Sequence, residues 1–152
     1  MKKEQLIHKI EKAWEAFLFS AEGLSEAEML EPGVIGEWSV RDIVAHVTVW
    51  EEEALKALPV ILAGQRTPRY SVLYGGIDAF TAQMTEKNRS LPLEEVLRRR
   101  DETHQRLLVY VRNAPQEQIT TETRFRRRLR YDSYSHYPEH TEAILEWREK
   151  KT

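Results

Sequence analysis

Three histidines carry the most suggestive spacing in this chain. His136 and His140 stand four residues apart, and on a helix that interval places both imidazoles on one face, close enough to chelate a single ion. His46 lies between Ile43 and Trp50, at the inner edge of a second apolar stripe. Two helices of one bundle can deliver these three side chains to a common interior point. Three neutral nitrogen ligands leave coordination positions open to water or substrate, as a catalytic metal requires. Zinc and nickel are divalent ions that imidazole suits. The competing reading of each histidine is a core imidazole satisfied by hydrogen bonds, or a surface residue on a differently rotated helix. Spacing alone leaves both readings open.

Composition narrows the chemistry. The chain has no cysteine, which excludes disulfides, thiolate ligands and a cysteine nucleophile, so histidine and carboxylate must carry any metal chemistry. Its 152 residues suit one domain, residues 1–152, large enough to bury a core without a metal staple. Lys and Arg total 23 against 25 Asp and Glu, and the net charge of -2 predicts no nucleic-acid partner. The opening MKKEQLIHKIEKAW is charged throughout, and no apolar run approaches bilayer length. Those features predict no membrane association and a cytoplasmic location.

The elements that must position the histidines read as helices. Leu6, Ile7, Ile10, Trp14, Phe17, Leu18 and Ala21 recur at helical steps and define a first helix. Ser25 with Glu28 forms a capping box for a short turn, and Ser39 with Asp42 forms a second one, which starts the His46 helix. That helix buries Val40, Ile43, Val44, Val47, Trp50, Ala54 and Leu55. It runs to Ala63 if Pro59 only kinks it, or stops near Leu58. Gln65 to Gly76, with Pro68 and Gly75-Gly76, reads as a long crossover loop, and Ile77, Phe80 and Met84 as a helical segment. A further helix opens at Pro92 with Leu93, Val96, Leu97, Leu107, Leu108 and Val111 inward. The last helix presents His136, His140, Ala143, Ile144 and Trp147, starting near Asp132 or near Ser135. The pattern predicts an all-α four-helix bundle. An internal echo at a fixed offset of 90 residues places His46 on His136 and Met29 on Ile119.

Other polar residues compete for a role. His104 shares a face with Leu97, Leu107, Leu108 and Val111, so it is either a satisfied core imidazole or part of a pocket lining. Arg124-Phe125-Arg126-Arg127-Arg128-Leu129-Arg130 reads as a solvated loop, or as the source of one arginine that pairs with an anionic substrate at the pocket mouth. Glu139 and His8, off the inner stripes, are expected in solvent. Tyr134 and Tyr137 are core packing by default and otherwise could supply a pocket hydroxyl.

Gly36-Glu37-Trp38-Ser39-Val40-Arg41-Asp42-Ile43-Val44-Ala45-His46 with Trp50-Glu51, and His136-Tyr137-Pro138-Glu139-His140 with Ile144 and Trp147, resemble the two signature segments of DinB-like (YfiT-like) proteins. The resemblance runs the length of the chain. It implies an up-up-down-down bundle, a homodimer, and a bound zinc or nickel on His46, His136 and His140. It also implies a thiol-dependent S-transferase or related enzyme, with a low-molecular-weight thiol as co-substrate and a small electrophilic substrate. A metal-dependent hydrolase and a non-catalytic metal- or ligand-binding bundle are the competing classes, since an open three-histidine site is compatible with each.

Overall fold

A computed structural model describes residues 1–152 and is built from helices, with one isolated β-bridge between Ile35 and Trp38. Helix α1 (Lys3–Ser20) buries Leu6, Ile10, Trp14 and Phe17 from the expected stripe. The Ser25 box opens α2 (Glu26–Met29): the Glu28 N–H donates to Ser25 Oγ at 3.1 Å and the Ser25 N–H to Glu28 Oε1 at 3.0 Å. The Ser39–Asp42 box starts α3 (Val40–Leu62) by the same exchange, at 3.1 and 3.0 Å. Ser39→Ala should therefore lower stability by about 1 kcal/mol and Ser39→Gly by only a few tenths. Urea denaturation measures both, and an unmoved midpoint in the alanine variant would show that the box is idle.

Helix α3 continues through Pro59, which lies on the exposed side, and so takes the longer of its two possible courses. It closes in a Schellman motif: Gly64, at φ +80°, donates to the Ile61 carbonyl at 2.9 Å, and Gln65 donates to the Val60 carbonyl at 3.1 Å. The crossover holds α4 (Tyr70–Leu73) and α5 (Ile77–Asn88) and leads to α6 (Leu93–Asn113), with Pro92 as its N-cap. After α7 (Glu117–Thr120) come α8 (Arg124–Asp132) and α9 (Tyr137–Lys151), which together form the fourth side of the bundle.

One local expectation needs correction, and one choice between alternatives is made. The arginine-rich stretch is a helix rather than a loop. Thr123 Oγ1 accepts from the Arg126 N–H at 3.1 Å, and Phe125, Leu129 and Asp132 bury one face. The last helix takes the later of its two expected starts, within one residue of Ser135, with His136 itself as N-cap. The Ser133 carbonyl accepts from the N–H groups of His136 and Tyr137 at 2.8 and 2.9 Å, and Pro138 falls in the first turn, where no N–H is needed.

The helix directions also differ from those the resemblance implied. Lys3 bonds the carbonyls of Arg112 and Ala114 while Trp14 stacks on His104, so α1 and α6 are antiparallel. Arg41 reaches the carbonyls of Asn88 and Leu91 while Thr103 and His104 bond Glu52 and Glu51, so α3 and α6 run parallel. Trp14 meets Tyr137 and Arg148 reaches the Ser20 carbonyl, which makes α9 parallel to α1. The order is up-down-down-up. Short links carrying α2 and α7 join antiparallel neighbours, whereas the parallel pair α3 and α6 needs the long α4–α5 crossover to return the chain. Under the 90-residue offset α1 overlies α6 and α2 falls within one residue of α7, so the echo at Met29 and Ile119 marks equivalent short helices. One buried cluster, which includes Ile10, Phe17, Val47, Leu107, Leu129 and Ile144, joins all four sides.

Candidate metal centre

His46 is presented by α3 and the other two histidines by the first turn of α9. The three Nε2 atoms converge: His136 Nε2 lies 3.2 Å from that of His46 and 3.0 Å from that of His140. The ligand atoms of all three lie within 4.8 Å of one another. A tetrahedral ion about 2.0–2.1 Å from each nitrogen would set neighbouring nitrogens about 3.4 Å apart, so this cluster needs only a small expansion to hold one. The imidazoles are neutral near pH 7. Burial, and then the neighbouring histidines, pull His46 and His136 down to about 3, and burial pulls His140 down to about 4. Three unprotonated nitrogens aimed at one point are the donor set a divalent ion requires. Nδ1 of His136 and of His140 is buried without a protein partner, so it is free to carry the proton that ligation through Nε2 demands.

The segment before α3 shapes one side of the cluster. Gly36 at φ +56° allows a tight reversal in which the Val34 N–H donates to the Trp38 carbonyl at 2.9 Å and the Trp38 N–H to the Ile35 carbonyl at 2.8 Å. That turn lays the Trp38 ring 4.8 Å from the His46 ring. On the other side a constriction of about 10 Å³, bounded by His46, Arg41, Trp50 and Thr81, has space for roughly one water. It shares Ala45, Val49, Met84 and Asn88 with a cleft of about 410 Å³ between α3, α5 and α6. Lys56, Lys87, Arg98, Arg99 and Arg106 line that cleft together with Glu52, Glu53 and Glu102.

The remaining candidates fall elsewhere. His104 is a core imidazole, 3% exposed, with Nδ1 2.7 Å from Glu51 Oε2 and its ring stacked on Trp14. Tyr137 is fully buried and donates its hydroxyl to the same carboxylate oxygen at 2.5 Å, so it offers no hydroxyl to a pocket. Tyr134 and Trp147 are half-buried packing residues, and Glu139 and His8 are exposed. No arginine of α8 lines the cleft; Arg128 instead pairs with Asp132 at 2.7 Å and donates to the Tyr70 hydroxyl at 2.8 Å.

Sequence reasoning missed Glu51 and Glu53, which are 0% and 9% exposed. The signal for Glu51 was present, because Val40, Val44, Val47, Glu51, Ala54 and Leu58 follow a three-four alternation whose other members are all buried. Burial pushes the Glu51 carboxyl above its ordinary range, opposed by its bonds to His104 and Tyr137.

Acid should act through the three clustered histidines. Their folded-state pKa values lie below the ordinary 6.5, so the unfolded chain binds protons that the folded one refuses. The resulting stability is fully present above about pH 6.5 and is lost progressively as pH falls toward 4 and then 3. Metal-free protein should show a urea midpoint that drops over this interval more steeply than that of the His46→Ala, His136→Ala, His140→Ala triple variant. Equal slopes would overturn the assignment.

A sequence profile for the DinB superfamily matches residues 9–143. The colibactin self-resistance protein ClbS, whose crystal structure is a complex with double-stranded DNA, has the same fold. It aligns with a TM-score of 0.80 at 18% identity, over 95% of this chain and 94% of its own. The sibling lethal factor precursor DfsB aligns with a TM-score of 0.83 at 16% identity, over 99% and 97% of the two chains. An uncharacterised protein from Escherichia coli UTI89 aligns with a TM-score of 0.80 at 14% identity, over 99% and 94%. At these identities the likeness is one of fold. No curated protein matches the sequence. The exclusion of nucleic acid drawn from net charge is overturned, because a protein of this same fold is solved on double-stranded DNA. Net charge averages over the whole surface, whereas a phosphate backbone responds to the local field. No helix is long and apolar enough to cross a membrane.

Proposed function

The chain belongs to the DinB superfamily, and from that premise we propose a metal-dependent enzyme in which His46, His136 and His140 hold a zinc or nickel ion and a thiol attacks a small electrophile. The observation that carries the reading is the convergence of three neutral Nε2 atoms, from a buried His140 and half-buried His46 and His136. When bound, the ion supplies positive charge that favours a thiolate or hydroxide over its protonated form. The ligands are uncharged and leave that charge uncompensated. The nucleophile has to come from outside the chain, which has no cysteine. The mixed-charge cleft beside His46 suits a zwitterionic or polar small molecule, and the Trp38 ring packs 4.8 Å from the His46 ring.

Metal-loaded protein should accelerate conjugation of a cellular thiol to a model electrophile such as chlorodinitrobenzene. His46→Ala should lose that acceleration together with its metal. Rate enhancement without thiol, by water attack, would favour a hydrolase. Stoichiometric metal with neither reaction would favour a non-catalytic binding bundle, and absence of bound metal would overturn the reading altogether.

A further inference from the structure

The pairing of arginines is uneven across the molecule. Those of α6, Arg98, Arg99, Arg100, Arg106 and Arg112, each have a carboxylate within 4.0 Å. Arg66, Arg69, Arg124 and Arg127 have none, and they gather where the crossover meets α8. The Arg124 guanidinium lies 3.4 Å from the Gln65 carbonyl, next to Arg66, and Arg128 bonds Tyr70, next to Arg69. Arg124, Arg127 and Tyr131 share one face of α8, opposite the buried Phe125, Leu129 and Asp132. Arg66, Arg69 and Arg127 are exposed, as is 70% of Tyr131.

The helix end adds to the field. Helices α1, α3, α5, α6 and α9 carry an acidic residue in the first turn, which complements the positive end of the helix dipole. Helix α8 carries none there and opens instead on Arg124 and Arg126. Positive side chains on a positive helix end repel each other unless an anion lies across them. Two acids stand close by. Asp78, which with Arg69 and Arg128 lines an open hollow in the crossover, has no arginine partner within 4.0 Å. Glu122, just before α8, is taken up by Arg126 at 4.0 Å and Arg130 at 3.1 Å and leaves Arg124 and Arg127 without a carboxylate.

We propose that the surface formed by Arg66, Arg69, Arg124 and Arg127 with Tyr131 is a docking site for a nucleic-acid backbone. Guanidinium forks match phosphodiester oxygens, and spaced point charges suit a repeating polyanion better than a single small anion. Val72, Leu73 and Ile77 expose aliphatic surface on the crossover after Arg69, but the arginine face of α8 carries no aliphatic side chain for a lipid surface to engage. Its exposed nonpolar group is the Tyr131 ring, whose π-face can stack on a base.

The test is fluorescence anisotropy of the full chain with a 20-base-pair duplex and a 20-nucleotide single strand, alongside sedimentation with phosphatidylglycerol vesicles. Four phosphate contacts predict that duplex affinity falls about a hundredfold between 50 and 200 mM salt. The Arg66→Ala, Arg69→Ala, Arg124→Ala, Arg127→Ala variant should bind at least tenfold more weakly and lose most of that salt dependence. Arg127→Glu, a single exposed change that should leave the helical spectrum intact, should weaken binding several-fold. Arg89→Ala with Arg112→Ala, both ion-paired, should change nothing. A Tyr131→Ala loss larger on the single strand than on the duplex would assign the ring to stacking. Binding to vesicles but not to nucleic acid, binding to neither, or binding indifferent to the four arginines would each overturn the proposal.

Discussion

Glu51→Ala should cost the fold about 3–5 kcal/mol, as much as truncating a buried aromatic of the core. The carboxylate is fully buried and holds His104 at 2.7 Å and Tyr137 at 2.5 Å. Removing it leaves two buried polar groups without their partner, each costing about 1–3 kcal/mol, and opens a cavity among packed aromatic rings. Tyr137→Phe removes one bond and keeps the ring, so about 1 kcal/mol is expected. Glu51→Gln retains an acceptor oxygen and should fall between the two. Urea denaturation of metal-free protein orders the three. A Glu51→Ala loss below about 1 kcal/mol would mean that water replaces the carboxylate and that the cluster is not dry.

Glu51 also shows where the sequence was legible and where it was not. The apolar stripes and both capping boxes follow from residue type and spacing, because a helix face needs only local rules. The stripe assigned to α3 took Trp50 and passed over Glu51, since a glutamate inside a core is rare unless paired. Its partners, His104 and Tyr137, are 53 and 86 residues away in sequence and become visible only when the helices pack. The arginines of α8 misled in the opposite sense. Their charge suggested a solvated loop, while Phe125, Leu129 and Asp132, at four- and three-residue steps, marked a buried helical face beneath them. Helix order had the same non-local origin, being set by which links are short enough to force antiparallel neighbours. The histidine spacing survived the later start of α9 because His136 keeps helical backbone angles, φ -88° and ψ -46°, as the N-cap.

His140→Ala should abolish stoichiometric metal binding while leaving the helical fold intact. The variant removes one of three converging Nε2 atoms, and the remaining pair, His46 and His136, cannot complete the set. The fold should tolerate the loss, because the core is built from apolar residues on all four sides and the deleted ring takes with it an unpartnered buried Nδ1. Metal present at about 1,000 times its dissociation constant should stabilise the wild-type chain by about 4 kcal/mol and the variant by almost nothing. Thermal unfolding with and without zinc, read alongside elemental analysis, separates the outcomes. A variant that keeps one ion per chain would show that other residues hold the metal. A variant that no longer folds would assign His140 to the structure of the bundle rather than to a site built upon it.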